Sequence, residues 1–237
     1  MTSPLNPTPP PPLEFAHGTT TLSFLFKHGI IVAVDSRASI GTFVGSKTTQ
    51  KVLPIDHHIL GTMAGGAADC SYWIRRIRSE ARVLDLENNN SDGIGDGNEI
   101  GGISVARASR LLSNALYQNR HLDLSVGTMI MGYDHGGKSD RPPSIYYVDN
   151  TGQRLRGEMF SVGSGSTFAL GILDTERRYD MSEDEAISLG IKAIRHATFR
   201  DGYSGGYIGV YIITRDGWRK VFSEDLALSA DFSSDIQ

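Results

Sequence analysis

The sequence holds a single cysteine, Cys70, among 237 residues. One thiol cannot close an internal disulfide, which suits a reducing compartment such as cytosol or nucleus. Long apolar runs are also missing, and nothing approaches the roughly 20 residues that span a bilayer. The opening MTSPLNPTPPPPLEF has neither a basic start nor an apolar core, which argues against a secretory signal, so the sequon Asn89-Asn90-Ser91 is not expected to meet glycosylation machinery. Positive charge is scarce: the formal net charge is −4 with no basic stripe, so neither nucleic acid nor an anionic membrane surface is an expected partner. The seven histidines are scattered, and no H-E-x-x-H or C-x-x-C spacing offers a metal site. No S-x-x-K spacing points to a serine nucleophile.

What is present is an ordinary globular composition, 39% hydrophobic and 21% charged, in a length that fits one domain. Residues 1–13 are proline-rich and read as a tail or removable leader. Strand character starts at the first threonine of TTTLSFLF (Thr19 to Phe26) and continues in IIVAVDSRA. VGSKTTQKVLPI and HHILGTMAG form another strand pair, broken by Pro54-Ile55-Asp56. Two helices are expected next. The first, about Ala67 to Leu86, lines up Trp73, Ile74, Ile77, Ala81 and Leu84; the second, about Ile103 to Asn119, lines up Val105, Ala108, Leu112, Ala115 and Leu116. Between them ENNNSDGIGDGNEIGG is a polar loop, and HGGKSDRPP is a later one. Strands return in VGTMIMGY, SIYYVDN and LRGEMFSVG. Helices follow near Ser166 and near Ser182, where Ser182 and Glu185 fit a capping box. YIGVYIIT and WRKVF close the pattern as a hairpin. Clustered strands separated by helix pairs predict antiparallel sheets with helices packed outside, rather than a doubly wound parallel sheet.

Few residues suggest chemistry unaided. GSGSTFA (Gly163 to Ala169) has a G-x-G interval before a helix, but Ala169 falls one position late for a dinucleotide loop and the preceding strands form a hairpin; a tight turn with close backbone approach is the better reading. His57 and His58 fall in a turn and read as solvent-exposed. Cys70, near a helix start with no histidine at a partner position, reads as a buried structural thiol. Asp35 and Lys51 fall in strand-like segments. Spacing alone favours two surface charges; the alternative is a buried pair in which the lysine activates a hydroxyl and the aspartate holds the lysine. Were the chain cut after Gly18, the new α-amine of Thr19, with a reference pKa of roughly 7.7–8.0, could act as base for its own hydroxyl.

Five separated motifs, HGTTTLSFLFKHGIIVAVDSRAS, KTTQKVLPI, ILGTMAGGAADC, SVGSGSTFALG and RDGYSGG, together resemble the catalytic beta subunits of the proteasome, the chymotrypsin-like, type-five kind in particular. The similarity runs from His17 to about Phe222. It implies an α+β fold, a four-layer αββα sandwich of two antiparallel sheets flanked by helix pairs. It further implies a leader, residues 1–18, removed by cleavage between Gly18 and Thr19, and one domain from 19 to 237. Thr19 would be the nucleophile, Asp35 and Lys51 its charged pair, Gly65 the oxyanion donor through its backbone N–H, and Ser164, Asp201 and Ser204 the groups holding the threonine amine and its water. Ala38, Thr49, Leu53, Met63 and Ala67 would line the pocket for a large apolar residue, with Ser39, Gly45 and Gly65 pairing with the peptide backbone. No cofactor and no metal are implied. The implied partners are other alpha and beta subunits in stacked rings and unfolded polypeptide substrates, in cytoplasm and nucleus.

Three departures accompany the resemblance. Thr49 stands where valine is expected and adds a hydroxyl to the pocket wall; the loops at Asn88 to Gly101 and Gly136 to Pro143 are longer than in typical relatives; and the 18 residues ahead of Thr19 are few for a leader of this kind. Thr20 and Thr21 read as plain sheet residues, and Arg37 as a support for the Asp35 loop. Two rival functions are a non-catalytic ring subunit and a stand-alone amidohydrolase of small amides. The retained Gly18, Thr19, Asp35 and Lys51 weigh against the first, and the roomy pocket around Met63 against the second.

Overall fold

The structure, a computed structural model, describes residues 18–40, 43–90, 102–134 and 142–225. The proline-rich segment and most of the two long loops lie outside the described residues.

The chain opens with a hairpin, β1 (Thr21–Phe26) and β2 (Gly29–Val34), and continues through a small ribbon, β3 (Ala38–Ile40) with β4 (Phe43–Ser46). β5 (Val52–Asp56), β6 (Ile59–Thr62) and the short β7 (Ala64–Gly65) lead into helices α1 (Ala67–Asn90) and α2 (Val105–Gln118). Then come β8 (Val126–Gly132), β9 (Ser144–Asp149), β10 (Arg154–Gly157) and β11 (Met159–Val162), helices α3 (Ser166–Glu176) and α4 (Glu183–Arg200), and the closing hairpin of β12 (Tyr207–Thr214) and β13 (Gly217–Asp225).

The strands sort into two main antiparallel sheets. One has five strands in the order β11-β1-β2-β12-β13; the other has six, in the order β10-β9-β8-β6-β5 with β7 also on β8. The apolar residues sort the same way, into three layers. Ile30, Val32, Leu60, Met129, Ile145 and Ile213 fill the space between the sheets. Ile74, Ile77, Ala108, Leu112 and Leu116 press α1 and α2 onto the six-stranded sheet. Leu173, Leu189, Ala193 and Ile194 press α3 and α4 onto the other. This is the expected four-layer αββα sandwich. Burial on both faces explains why β2 is fully buried and reads as an unbroken apolar run, GIIVAV.

Three expectations need correction. The first strand starts at Thr21, two residues after the first threonine. Pro54 does not break the strand containing it: β5 runs through it, with an irregularity between Pro54 and Asp56, because β5 is the sheet edge, where a residue without an N–H costs no ladder bond. The break falls at His57-His58, where only His57 is exposed; His58 is buried.

Ser182 caps α4 as expected, accepting from the Glu185 amide at 3.3 Å while the Glu185 carboxylate accepts from the Ser182 amide at 2.8 Å. Ser182→Ala is expected to cost about 1 kcal/mol, measured as a lowered thermal-unfolding midpoint, with little change in far-ultraviolet dichroism.

Candidate active site

Antiparallel pairing brings distant parts of the sequence to one end of the sandwich. Thr21 at the start of β1 pairs with Val34 at the end of β2 and with Val162 at the end of β11. The residues just beyond those ends, Thr19, Asp35 and Ser164, therefore emerge together. β12 pairs antiparallel with β2, Gly209 opposite Val34, and this brings the 201–206 loop to the same place. The second sheet contributes Lys51, directly ahead of β5, whose carbonyl accepts from the Met63 amide at 2.8 Å.

Asp35 and Lys51 are a buried ion pair, not two surface charges: Lys51 Nζ donates to Asp35 Oδ1 at 2.5 Å, and the side chains are 3% and 0% exposed. Oδ1 also accepts from the Thr20 amide at 2.8 Å, and Oδ2 from the Gly205 amide at 2.9 Å and the Arg37 amide at 3.3 Å. Burial pushes the Lys51 ammonium down from its ordinary value, and the Asp35 carboxylate opposes this. Burial pushes Asp35 up, against the pull of Lys51 and of the Thr20 and Gly205 amides. All four contacts of Asp35 are donors, so a proton on either oxygen would displace one of them.

Thr19 is itself buried, directly after Gly18 in the chain. Its hydroxyl donates to the Gly18 carbonyl at 2.6 Å, and Lys51 Nζ approaches the same oxygen at 3.4 Å. On the other side, the Thr19 amide donates to Ser164 Oγ at 3.2 Å, and Ser164 Oγ donates to Asp201 Oδ2 at 2.5 Å. Ser204 Oγ donates to the same carboxylate oxygen at 2.6 Å. With its hydrogen so committed, Ser204 accepts from Thr20 Oγ1 at 2.7 Å. Thr20 is thus no plain sheet residue, since both its amide and its hydroxyl enter the site. Thr21 bonds only to the neighbouring strand, at 3.3 Å from its hydroxyl to the Val162 carbonyl.

Glycines allow these approaches. A Cβ on Gly163, which has φ of +110°, would lie 2.0 Å from the Thr19 carbonyl oxygen, and one on Gly165 would lie 2.1 Å from Thr20 Oγ1. The GSGS turn is therefore a close-approach turn. A Cβ on Gly18 would meet the Tyr203 carbonyl oxygen at 2.2 Å, so no other residue fits there without movement.

A cleft of about 280 Å³ opens above Thr19 and Lys51, lined by Ala38, Ser39, Gly45, Thr49, Met63, Gly65 and Ala67. Ser46 also lines it and was not foreseen; nothing in its sequence setting marked it. Leu53 is the exception among the expected pocket residues: it lies outside the lining and packs into the apolar cluster beneath α1 and α2, to which Met63 also belongs. It stands behind the wall because β5 turns it toward the helices. Gly65, at φ +100°, is held with its Cα against the Ser125 carbonyl. Arg37 ties the loops together, donating from Nη1 to the Gly202 carbonyl at 3.0 Å, with its guanidinium where a side chain on Gly205 would be. Ser36, also unforeseen, donates to the Lys47 carbonyl and accepts from the Tyr207 amide at 2.7 Å. Among the described residues no cluster of metal-ligating side chains occurs, and no helix is long and apolar enough to cross a membrane.

Two stacked antiparallel sheets between helix pairs, with a threonine at the head of the first strand, define the fold of the N-terminal nucleophile hydrolases. Residues 15–213 match the family described as "Proteasome subunit", and the chain belongs to that family. It is 49% identical over 220 residues to proteasome subunit beta type-5 of Dictyostelium discoideum, covering 93% of this chain and 75% of that one. The identity is 50% over 219 residues to proteasome subunit beta type-5 of Gallus gallus, covering 92% and 79%. It is 47% over 215 residues to proteasome subunit beta type-8 of Homo sapiens, covering 91% and 72%.

Cys70 is fully buried, with Sγ 3.3 Å from the Ala64 carbonyl oxygen, and burial pushes its thiol up to about 11. At pH 8 it stays protonated in the folded chain. Iodoacetamide is expected to leave native Cys70 unmodified at that pH and to label it after guanidinium denaturation, as read by intact mass.

Proposed function

We propose that the chain is a catalytic beta subunit of the proteasome core and an endopeptidase whose nucleophile is the N-terminal threonine left by cleavage of the Gly18–Thr19 bond. The observation that carries this reading is the Gly18 carbonyl held between the Thr19 hydroxyl at 2.6 Å and the Lys51 ammonium at 3.4 Å, with Asp35 behind Lys51. A carbonyl with two donors on its oxygen is polarised for attack at carbon. Attack by Thr19 Oγ expels the Thr19 nitrogen, which takes up a proton, and leaves Gly18 as an ester on Oγ. Water then hydrolyses the ester, releasing residues 1–18 and restoring the hydroxyl.

In the mature site the freed amine takes the hydroxyl proton, through a water, as Oγ attacks the substrate carbonyl. Ser164, with Asp201 and Ser204 behind it, holds the amine. The backbone N–H of Gly65 stabilises the charge on the attacked oxygen. The C–N bond breaks with transfer of the proton to the departing amine, and water hydrolyses the acyl ester. The cleft rimmed by Ala38, Ala67 and Met63 accepts a large apolar side chain, so cleavage follows such residues. The Thr49 hydroxyl makes one wall more polar. The subunit works within stacked rings of other alpha and beta subunits, on unfolded polypeptides, in cytoplasm and nucleus.

N-terminal sequencing of the assembled particle is expected to begin at Thr19, and Thr19→Ala to abolish cleavage after large apolar residues. An intact Gly18–Thr19 bond in active particles, or cleavage undiminished by the substitution, would refute the assignment. Gly18→Ala is expected to slow leader removal by an order of magnitude or more, followed by mass spectrometry of assembling particles, because its methyl group collides with the Tyr203 backbone.

A further inference from the structure

Helix α1 carries a second concavity on its outer face. It is an open groove of about 710 Å³, whose lining includes Ala67, Ser71, Tyr72, Arg75, Arg76 and Ser79. Ala67 lines both this groove and the cleft above Thr19, so the two are continuous across one residue. Ser71 joins them from the groove side: its hydroxyl donates to the Ala67 carbonyl at 2.6 Å and lies 3.2 Å from Met63 Sδ.

The groove is positively charged in a chain whose net charge is negative. Among the described residues its lining includes two arginines and no carboxylate. Arg76 reaches Glu80 only at 3.4 Å, in a pair whose members are 51% and 39% exposed, too solvated to neutralise the groove. Arg78 and Arg82 on the same helix add like charge; burial first, then Arg82 and Arg75, push the Arg78 guanidinium down. The acid of the first turn, Asp69, is turned away and accepts from the Ser125 amide at 3.1 Å. Tyr72, 59% exposed, gives the groove an apolar side.

We infer that this groove is an accessory substrate subsite that selects acidic side chains about four residues from the apolar residue held in the cleft. The inference rests on the peptidase reading above. The spacing follows from geometry. Arg75 and Arg76 stand eight and nine residues along α1 from Ala67, roughly 12–14 Å at 1.5 Å per residue. An extended peptide covers that distance in about four residues at roughly 3.3 Å each. A carboxylate there meets two arginines, and a lysine there meets like charge. Each exposed pair contributes modestly, so the expected discrimination is about threefold to tenfold, and it is screened by salt.

The test uses assembled particles and peptides that share one large apolar residue at the cleavage point, with a single Glu or a single Lys four residues to either side and a neutral peptide as reference. For one of the two directions the Glu peptide is expected to show a kcat/KM about threefold to tenfold above its Lys counterpart at low salt. The ratio should shrink toward one at about 0.5 M salt. In the double variant Arg75→Gln, Arg76→Gln the ratio is expected to fall to about one within the variant itself. Equal cleavage of Glu and Lys peptides by the unmodified particle overturns the inference, as does a preference that survives the double substitution. Loss of the subunit from particles in the charge-reversed Arg75→Glu, with the Glu/Lys ratio unchanged in the Gln variant, overturns it by assigning the groove to a neighbouring chain. Failure to cleave even the neutral peptide would instead strike at the peptidase reading.

Discussion

The buried contact between Lys51 and Asp35 is the constraint around which the site is arranged. Taking two charges out of water costs several kcal/mol each, and a bare ion pair does not recover that. Here the deficit is offset locally, because Asp35 also accepts three backbone amides, from Thr20, Arg37 and Gly205. Those amides come from the head of β1, the segment after β2 and the loop before β12. The carboxylate thus fastens three chain segments while it holds the lysine. Removing either charge would leave the other buried without its hydrogen-bonded partner, a loss of about 3–5 kcal/mol. The pair is better understood as a means of fixing the Lys51 ammonium than as a source of stability.

The same economy governs the sandwich. The space between the sheets is filled by side chains such as Val32, Leu60 and Met129, with the rings of Tyr133 and Tyr211 among them. The polar groups of the site gather at one end, where β2 and β11 stop and β1 and β12 begin. Antiparallel pairing places starts beside stops, so four loops meet there without any of them being long. Gly163, Gly165 and Gly205 then let the Thr19 carbonyl, the Thr20 hydroxyl and the Arg37 guanidinium approach to distances that a Cβ would forbid. The cleft is thus a product of strand ends, and its geometry is stiffened by the core beneath it.

Much of this was legible in the residues. Helical spacing marked the buried faces of α1 and α2, and Ser182 with Glu185 marked the start of α4. Clustered strands between helix pairs pointed to antiparallel sheets with helices packed outside, and the family resemblance added the four-layer order. The pairing of Asp35 with Lys51 was not legible from spacing, because a charge beside a strand has the same signature whether it faces water or a partner 16 positions away. Thr20 was misjudged for a related reason: a threonine ahead of a strand looks like strand, and only the Asp35 carboxylate draws its amide out of the ladder. Leu53 lies one residue beyond Val52, and alternation along β5 sends the two to different layers, Val52 between the sheets and Leu53 toward the helices. Whole-chain resemblance supplied the remaining roles, because a hydroxyl, an amide and a glycine N–H carry no pattern of their own.

The junction at Gly18–Thr19 joins these strands of argument. While the bond is intact, the Thr19 nitrogen is an amide: it donates to Ser164 Oγ, and it has no basic lone pair. Ser164 in turn donates to Asp201, so its own lone pair faces the nitrogen. That polarity suits an N–H in either state, so the seryl contact can persist through cleavage without reorientation. What the proposed cleavage would add is a lone pair on nitrogen, with a reference pKa of roughly 7.7–8.0, on the same residue as the hydroxyl it would deprotonate. The Thr19 hydroxyl and Lys51 converge on the Gly18 carbonyl; in the proposed cleavage that carbonyl would leave, and the space it holds would open into the cleft. One set of side chains can therefore serve first the chain's own bond and then a substrate's. On the proposed route, the only group that would change its chemical nature is the Thr19 nitrogen, from amide to amine.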